Sequence, residues 1–210
     1  MNWFPHYRYS VYPPYYREPI TEQEELDKLT SKQGAEHSFL PIKAAKNDQS
    51  TSIFYDPLTS HFINFVMKKG NKTLARSLVE QAFVKIKQIQ LTKYNKAKND
   101  EERAEIELDP VKILHKAVGN CTPLLQLNSI KRGGIVYQVP VPVTESRARF
   151  MAFKWIITES REKERKVHFP EKLAHELLDA ANNVGKVVKR KQDLHRQCEA
   201  NRAYAHYRWG

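Results

Sequence analysis

Cysteine is scarce in this chain: Cys121 and Cys198 are the only two, far apart and without a C-x-x-C spacing. That leaves no disulfide framework and no thiolate zinc site, and it fits a reducing compartment. Glycine is scarce as well, at seven in 210 residues, and no phosphate-cradling loop is built from it. Gly70-Asn71-Lys72-Thr73 has the tail of such a loop but lacks the upstream glycine. No run approaches the roughly eighteen apolar residues of a membrane span, so a soluble protein with no membrane-spanning segment is expected. A G-x-S-x-G nucleophile elbow is missing too. His175-Glu176 opens like the H-E-x-x-H zinc motif, but Asp179 stands where the second histidine must lie one helical turn on, and Leu177 and Leu178 are needed for core. The eight histidines are otherwise scattered, and a lone one such as His115 reads as a surface or satisfied core residue. No catalytic residue, metal or cofactor is expected.

Positive charge is abundant, and it is unevenly placed. The chain holds 35 Lys and Arg against 24 Asp and Glu, a net of +11. Residues 1–55 carry six basic and seven acidic residues, which leaves 29 basic and 17 acidic, a net of +12, for residues 56–210. A polyanion is therefore the expected partner, either nucleic acid or an anionic membrane surface.

The first 55 residues read as an extension. Met1 to Glu18 is rich in aromatics and proline (Trp3, Phe4 and five tyrosines with Pro5, Pro13 and Pro14) and reads as an extended arm that orders against a partner. It has no acid before Glu18, as an organelle transit peptide would, yet the proline pair would break an amphipathic helix and Arg8 and Arg17 are its only cations. Thr21-x-x-Glu24 is a capping box for a short acidic helix ending near Thr30. Ser31 to Ser52 is aperiodic and reads as a linker.

Asp56-Pro57 opens the compact part. Leu58, Phe62, Phe65 and Val66 predict a short helix stopped at Gly70. Leu74, Leu78, Ala82 and Ile86, four apart, predict a second. Residues 92–107 are nearly all charge and predict a solvated helical extension. Asp109-Pro110 is an N-cap followed by proline at the first helical position, starting a helix with Val111, Ile113, Leu114, Ala117 and Val118 that ends at Gly119. Three more helices close the chain: Arg147 to about Lys163 burying Phe150, Phe153 and Ile157; Pro170 to Val184 burying Leu173, Leu177 and Ala181 and ending at Gly185; and Lys186 to about Arg202 carrying Val187, Leu194 and Cys198.

Between the third and fourth of these helices lies a hairpin signal, near residues 126–143. Gly133-Gly134 offers two consecutive residues free to take positive φ, as a tight hairpin turn requires. Ile135, Tyr137, Val139, Val141 and Val143 then alternate on one face of a strand. Pro140 and Pro142 remove two backbone donors, so that strand must have a free edge. Lys131 and Arg132 put positive charge at the tip. The fold class that follows is mainly α: about six helices over residues 56–210 with one protruding β-hairpin, preceded by an extended N-terminal arm over residues 1–55.

The basic residues fall into four groups. Lys68, Lys69, Lys72 and Arg76 surround the Gly70 turn, where a helix N-terminus adds free N–H groups. Arg147, Lys154 and Arg161 recur every seven residues and share one helix face, with Arg149 nearby. Lys186, Lys189, Arg190, Lys191 and Arg196 crowd the last helix. The chain ends by interleaving rings with guanidiniums, from Arg202 through Tyr207 and Arg208, a composition suited to stacking on unpaired bases. Any one group alone would read as a solvated face; four in a region of net +12 point to nucleic acid.

These residues resemble protein seven of the small ribosomal subunit in its bacterial and organellar form. The likeness runs from Asp56 to Trp209. Its motifs are Gly-Gly-x-x-Tyr-Gln-Val-Pro-Val at 133–141, Lys-Trp-Ile at 154–156, Lys-Leu-Ala-His-Glu-Leu-Leu-Asp-Ala-Ala at 172–181, and the run from Val188 to Arg196 continued by Glu199 to Trp209. The resemblance implies a helical domain with a protruding hairpin. It also implies binding to the 3′ major domain of small-subunit rRNA, a part in head assembly among neighbouring ribosomal proteins, and proximity to exit-site tRNA and mRNA. Asn71 departs from the family's Gly-Lys-Lys/Arg at the first basic turn, which implies one phosphate contact fewer. The N-terminal extension and the charged insert at 92–107 are similar to the mitochondrial branch, which implies a mitoribosomal protein of the matrix. The alternatives are a bacterial-type cytoplasmic setting and, for function, a free-standing helix-turn-helix regulator. That regulator would need a dimer and base-reading side chains at the start of a recognition helix.

Overall fold

A computed structural model of the chain describes residues 12–21, 25, 27, 40–46, 49–52 and 54–209. Most of the expected short acidic helix, all but Thr21, Glu25 and Asp27, and most of the aromatic arm lie outside the described residues; Glu25 and Asp27 are helical. Contacts divide the chain into two units that meet between Ser60 and His61.

In the first unit, the segment read as linker has a partner. The Arg17 N–H donates to the Pro41 carbonyl at 3.0 Å and the Lys43 N–H to the Arg17 carbonyl at 2.8 Å, a one-residue parallel bridge. Lys43 Nζ closes the same contact on Glu18 at 2.6 Å. The Tyr16 ring lies 5.5 Å from that of Tyr12 and 5.2 Å from that of Tyr15.

Helix α1, Pro57–Val66, is followed by α2, Lys72–Lys96, the short α3, Asp100–Glu105, and α4, Pro110–Cys121. Strands β1, Leu125–Arg132, and β2, Ile135–Pro142, precede α5, Glu145–Arg161, α6, Phe169–Ala181, and α7, Lys186–Ala200. A 3-10 segment, Arg202–Trp209, ends the described chain. The expected helical domain with a hairpin is present, and the charged insert contains the end of α2 and all of α3.

Local chemistry sets the helix starts. The Asp56 carboxylate accepts from the Thr59 N–H at 2.8 Å, and Pro57 takes the first helical position of α1. The Asn71 side chain accepts from the Leu74 N–H and caps α2, and the Asp109 side chain accepts from the Val111 N–H and caps α4. In α2 the buried residues are Ala75, Val79, Ala82 and Ile86, whereas Leu74 is 55 % exposed. The four-residue spacing that included Leu74 advances by about 40° per step around a helix of 3.6 residues per turn, so it leaves the core face. Gly119 lies inside α4, which continues to Cys121.

Helix α6 lies at the centre, touching α2, α4 and α5. Eight of its thirteen residues are buried, Leu173 and Leu177 completely. Each such leucine contributes roughly 1.5–3 kcal/mol by leaving water. The buried Glu176 meets Lys172 Nζ at 2.7 Å, and that hydrogen bond raises the Lys172 pKa. One side of the core is aromatic: the Phe153 ring stands edge-on to Phe62 at 5.4 Å and to Phe65 at 5.3 Å. On the other side Asn120 Nδ2 donates to the Ala180 and Ala181 carbonyls at 3.0 Å, satisfying exposed ends of α6. Lys191 Nζ donates in turn to the Asn120 carbonyl at 2.7 Å, so α4, α6 and α7 are cross-braced.

Helix α6 stops at Ala181, before the expected Gly185. Asn183 takes φ +57°, its N–H donates to the Ala180 carbonyl, and the Val184 N–H reaches back to the Asp179 carbonyl at 2.8 Å. This is a Schellman ending with asparagine in the left-handed position. Gly185 instead opens α7, at φ +98°.

Residues of the hairpin pair from Leu125 with Pro142 to Arg132 with Ile135, leaving Gly133-Gly134 as a two-residue turn at φ +57° and +86°. Positive φ at both positions is the type I′ signature, whose twist matches that of the strands. Arg132 and Ile135 flank that turn as a hydrogen-bonded pair, so by alternation Leu127–Pro140 and Leu125–Pro142 are non-hydrogen-bonded pairs. Both prolines thus turn their missing donors outward, to the free edge. The base of the hairpin is anchored: Val139 is fully buried, and the Leu124 N–H donates to His195 Nε2 on α7 at 3.1 Å.

Candidate nucleic-acid interface

The first basic group sits on the α1–α2 turn. Lys69 and Gly70 both have positive φ, +51° and +77°, and the Asn71 N–H donates to the Lys68 carbonyl at 3.1 Å. That sharp reversal sets Lys68, Lys69 and Lys72 around the start of α2, with Arg76 one turn along. All four are exposed, and none pairs with a carboxylate among the described residues. Asn71 is occupied as the cap of α2, which gives this uncharged residue of the basic turn a structural use.

The second group lies along α5, where Arg147, Lys154 and Arg161 are all exposed on the face away from the core. The Arg147 guanidinium rests 5.0 Å from the Phe150 ring centre, and Arg149 lies 4.0 Å from Glu145. At the end of α5, Arg161 lines a cleft of about 400 Å³ together with Lys68 and with Lys163, a residue absent from the sequence-based site. One cation of the first group, Lys68, and one of the second, Arg161, thereby line one cleft.

The third group divides. Lys186 and Lys189 are exposed and line a groove of about 480 Å³ between α5 and α7, with Met151 and Trp155 in it. Arg190 is engaged, 5.7 Å over the Trp155 ring and 3.7 Å from Glu159. Lys191 faces inward to Asn120, and Arg196 lies 3.6 Å from Asp193. Sequence proximity joined five cations; helical phase separates two outward ones from three with partners.

The fourth group joins the hairpin to the C-terminal segment. The Tyr137 ring lies 5.2 Å from Tyr204 and 5.1 Å from Tyr207. The Arg132 guanidinium sits 5.3 Å over the Tyr207 ring, and its Nη2 donates to the Tyr207 carbonyl at 3.5 Å. Lys131 projects from the opposite face and is exposed, beside the exposed Gly133-Gly134 turn. Arg202 is exposed too, and Arg208 stacks at 4.4 Å on Trp209, which is 78 % exposed. The tyrosine cluster was missed from sequence. Its one signal was the three-residue spacing of Tyr204 and Tyr207, which eclipses side chains in a 3-10 helix.

Burial governs the titratable groups nearby. The Cys121 thiol is pushed up to about 12, chiefly by desolvation, and Cys198 is raised for the same reason. Burial, and then the charge of Lys191, lower the His195 pKa, in keeping with an acceptor nitrogen at Nε2.

Broad exposed cation on a packed helical body, with a basic-tipped hairpin, has the layout of a module that binds a polyanion. The comparisons agree. The family described as "Ribosomal protein S7p/S5e" matches residues 36–202, and the chain belongs to it. The small ribosomal subunit protein uS7m of Drosophila melanogaster is 51% identical over 201 residues, which cover 95% of this chain and 90% of the relative. The protein of the same name from Gallus gallus is 49% identical over 195 residues, 92% of this chain and 82% of the relative. That of Mus musculus is 47% identical over 210 residues, 96% and 86% respectively.

Proposed function

We propose that this chain is a structural, non-catalytic protein of the mitochondrial small ribosomal subunit that holds the 3′ major domain of the small-subunit rRNA. The observation that carries the reading is the 51% identity, over 95% of the chain, to a small ribosomal subunit protein uS7m. The arrangement of charge supports the RNA contact. Exposed cations on the Gly70 turn, on α5, at the start of α7 and at the hairpin tip are spread over several elements, which suits one large folded RNA. A helix-turn-helix regulator would concentrate its contacts on one recognition helix. By the same reading the protein supports assembly of the subunit head among neighbouring ribosomal proteins, and its hairpin lies close to exit-site tRNA and mRNA.

Sedimentation of a mitochondrial lysate tests the proposal. The protein is expected to travel with the small subunit and to protect nucleotides of the 3′ major domain from chemical probing. Recovery in the free pool, or protection confined to another rRNA domain, would overturn it.

A further inference from the structure

The cleft at the Gly70 turn has a layout that phosphate contacts alone do not use. Its floor is apolar, formed by Leu74 and Leu78 of α2 and Phe169 at the start of α6. Its rim is cationic on two sides, with Lys68 on the turn and Arg161 and Lys163 at the end of α5. No carboxylate lines it among the described residues. Lys163 is steadied at the rim by donating to the Val167 carbonyl at 2.5 Å. Leu74, more than half exposed, has no core to serve there. The volume, about 400 Å³, is that of a small-ligand site, for which about 300–1,000 Å³ is usual.

A nucleotide within an RNA strand has the complementary layout, a flat base with apolar faces between two phosphates. We propose that the cleft receives one unpaired nucleotide, its base against Leu74, Leu78 and Phe169 and its flanking phosphates on Lys68 and on Arg161 with Lys163. The proposal rests on the rRNA-binding function proposed above and adds where an unpaired base goes. Base faces gain by stacking on an aromatic ring and leaving water, largely irrespective of sequence. Rim cations then fix the strand direction through the two phosphates. An acidic, apolar peptide is the rival occupant; it would match the floor but would have no reason to compete with RNA.

Full-length protein and a 3′ major domain rRNA fragment supply the test. Leu74→Ser is expected to weaken binding about tenfold at every salt concentration, leaving the salt slope unchanged, because it deletes apolar contact and no charge. Lys68→Ala and Arg161→Ala are expected to reduce the slope. In a second measurement a benzophenone side chain replaces Leu74 and the complex is irradiated. The expected product is a crosslink to the base of an unpaired nucleotide. Unchanged affinity in Leu74→Ser, or a crosslink to paired RNA or to another protein of the subunit, would overturn the cleft assignment. Absence of saturable binding by the unaltered chain would instead overturn the proposed function.

Discussion

At the scale of single residues, the informative ones are those whose chemistry conflicts with an ordinary environment. Gly185 has φ +98° and ψ 176°, a region open essentially to glycine, and an added Cβ would meet the Asp179 Cβ at 3.1 Å. Gly185→Ala is therefore expected to cost about 1–3 kcal/mol, read as a lower urea midpoint. His195 gives a pH dependence. Its pKa is held below its ordinary value of 6.5 in the folded chain, so the unfolded chain binds the proton more readily. Its contribution is therefore complete above about pH 6.5 and declines as pH falls through that value toward the depressed one. Urea midpoints measured from about pH 7.5 down to about pH 5.5 are expected to fall, and to fall less in His195→Gln, which keeps an acceptor for the Leu124 N–H. Cys121, with its pKa pushed up to about 12 by burial, is expected to resist thiol-alkylating reagents at neutral pH until the chain unfolds.

At the scale of elements, the local signals transferred well where one residue decides a geometry. Gly133-Gly134 marked the turn, Asp109-Pro110 marked the start of α4, and the alternation after Ile135 marked β2. Stops transferred less well. Gly185 looked like a C-cap, yet Asn183 took the left-handed position and released the glycine to open α7. Helical phase also could not be read from spacing alone, as Leu74 shows. The basic groups were visible as composition, but their partners come from other elements and left no local trace: Glu159 beside Arg190, Asn120 beside Lys191, Tyr207 beneath Arg132. That last contact bears on the hairpin tip. Replacing Lys131 and Arg132 by alanine removes one exposed cation–π contact, one long exposed hydrogen bond to the Tyr207 carbonyl and no buried group, an expected loss of about 1 kcal/mol or less. Binding to the rRNA fragment, or the handling of exit-site tRNA by assembled subunits, is expected to suffer more, since up to two charge-assisted phosphate contacts of about 1.5–3 kcal/mol each are deleted. Thermal melting and RNA affinity on the same double variant check this; unchanged RNA and tRNA behaviour would return the tip to a purely structural role.

At the scale of the whole molecule, charge and connectivity govern behaviour. If the exposed cations contact phosphate, log affinity for the rRNA fragment falls with log salt by roughly 0.7–0.9 per phosphate neutralised, and Lys69→Ala with Lys72→Ala flattens the slope. A chain beginning at Asp56 is expected to keep a cooperative melt near the full-length midpoint, because the first 55 residues carry little helical pattern and a net charge of −1. The contact between Arg132 and Tyr207 has a temporal meaning as well. It spans 75 residues and ends at the far end of the described chain. On a ribosome, where synthesis proceeds at about 5–20 residues per second, the helices and both strands emerge before Tyr204 and Tyr207 do. The hairpin gains its aromatic backing only once Tyr204 and Tyr207 have been made, so a product terminated before them carries the finger without its support.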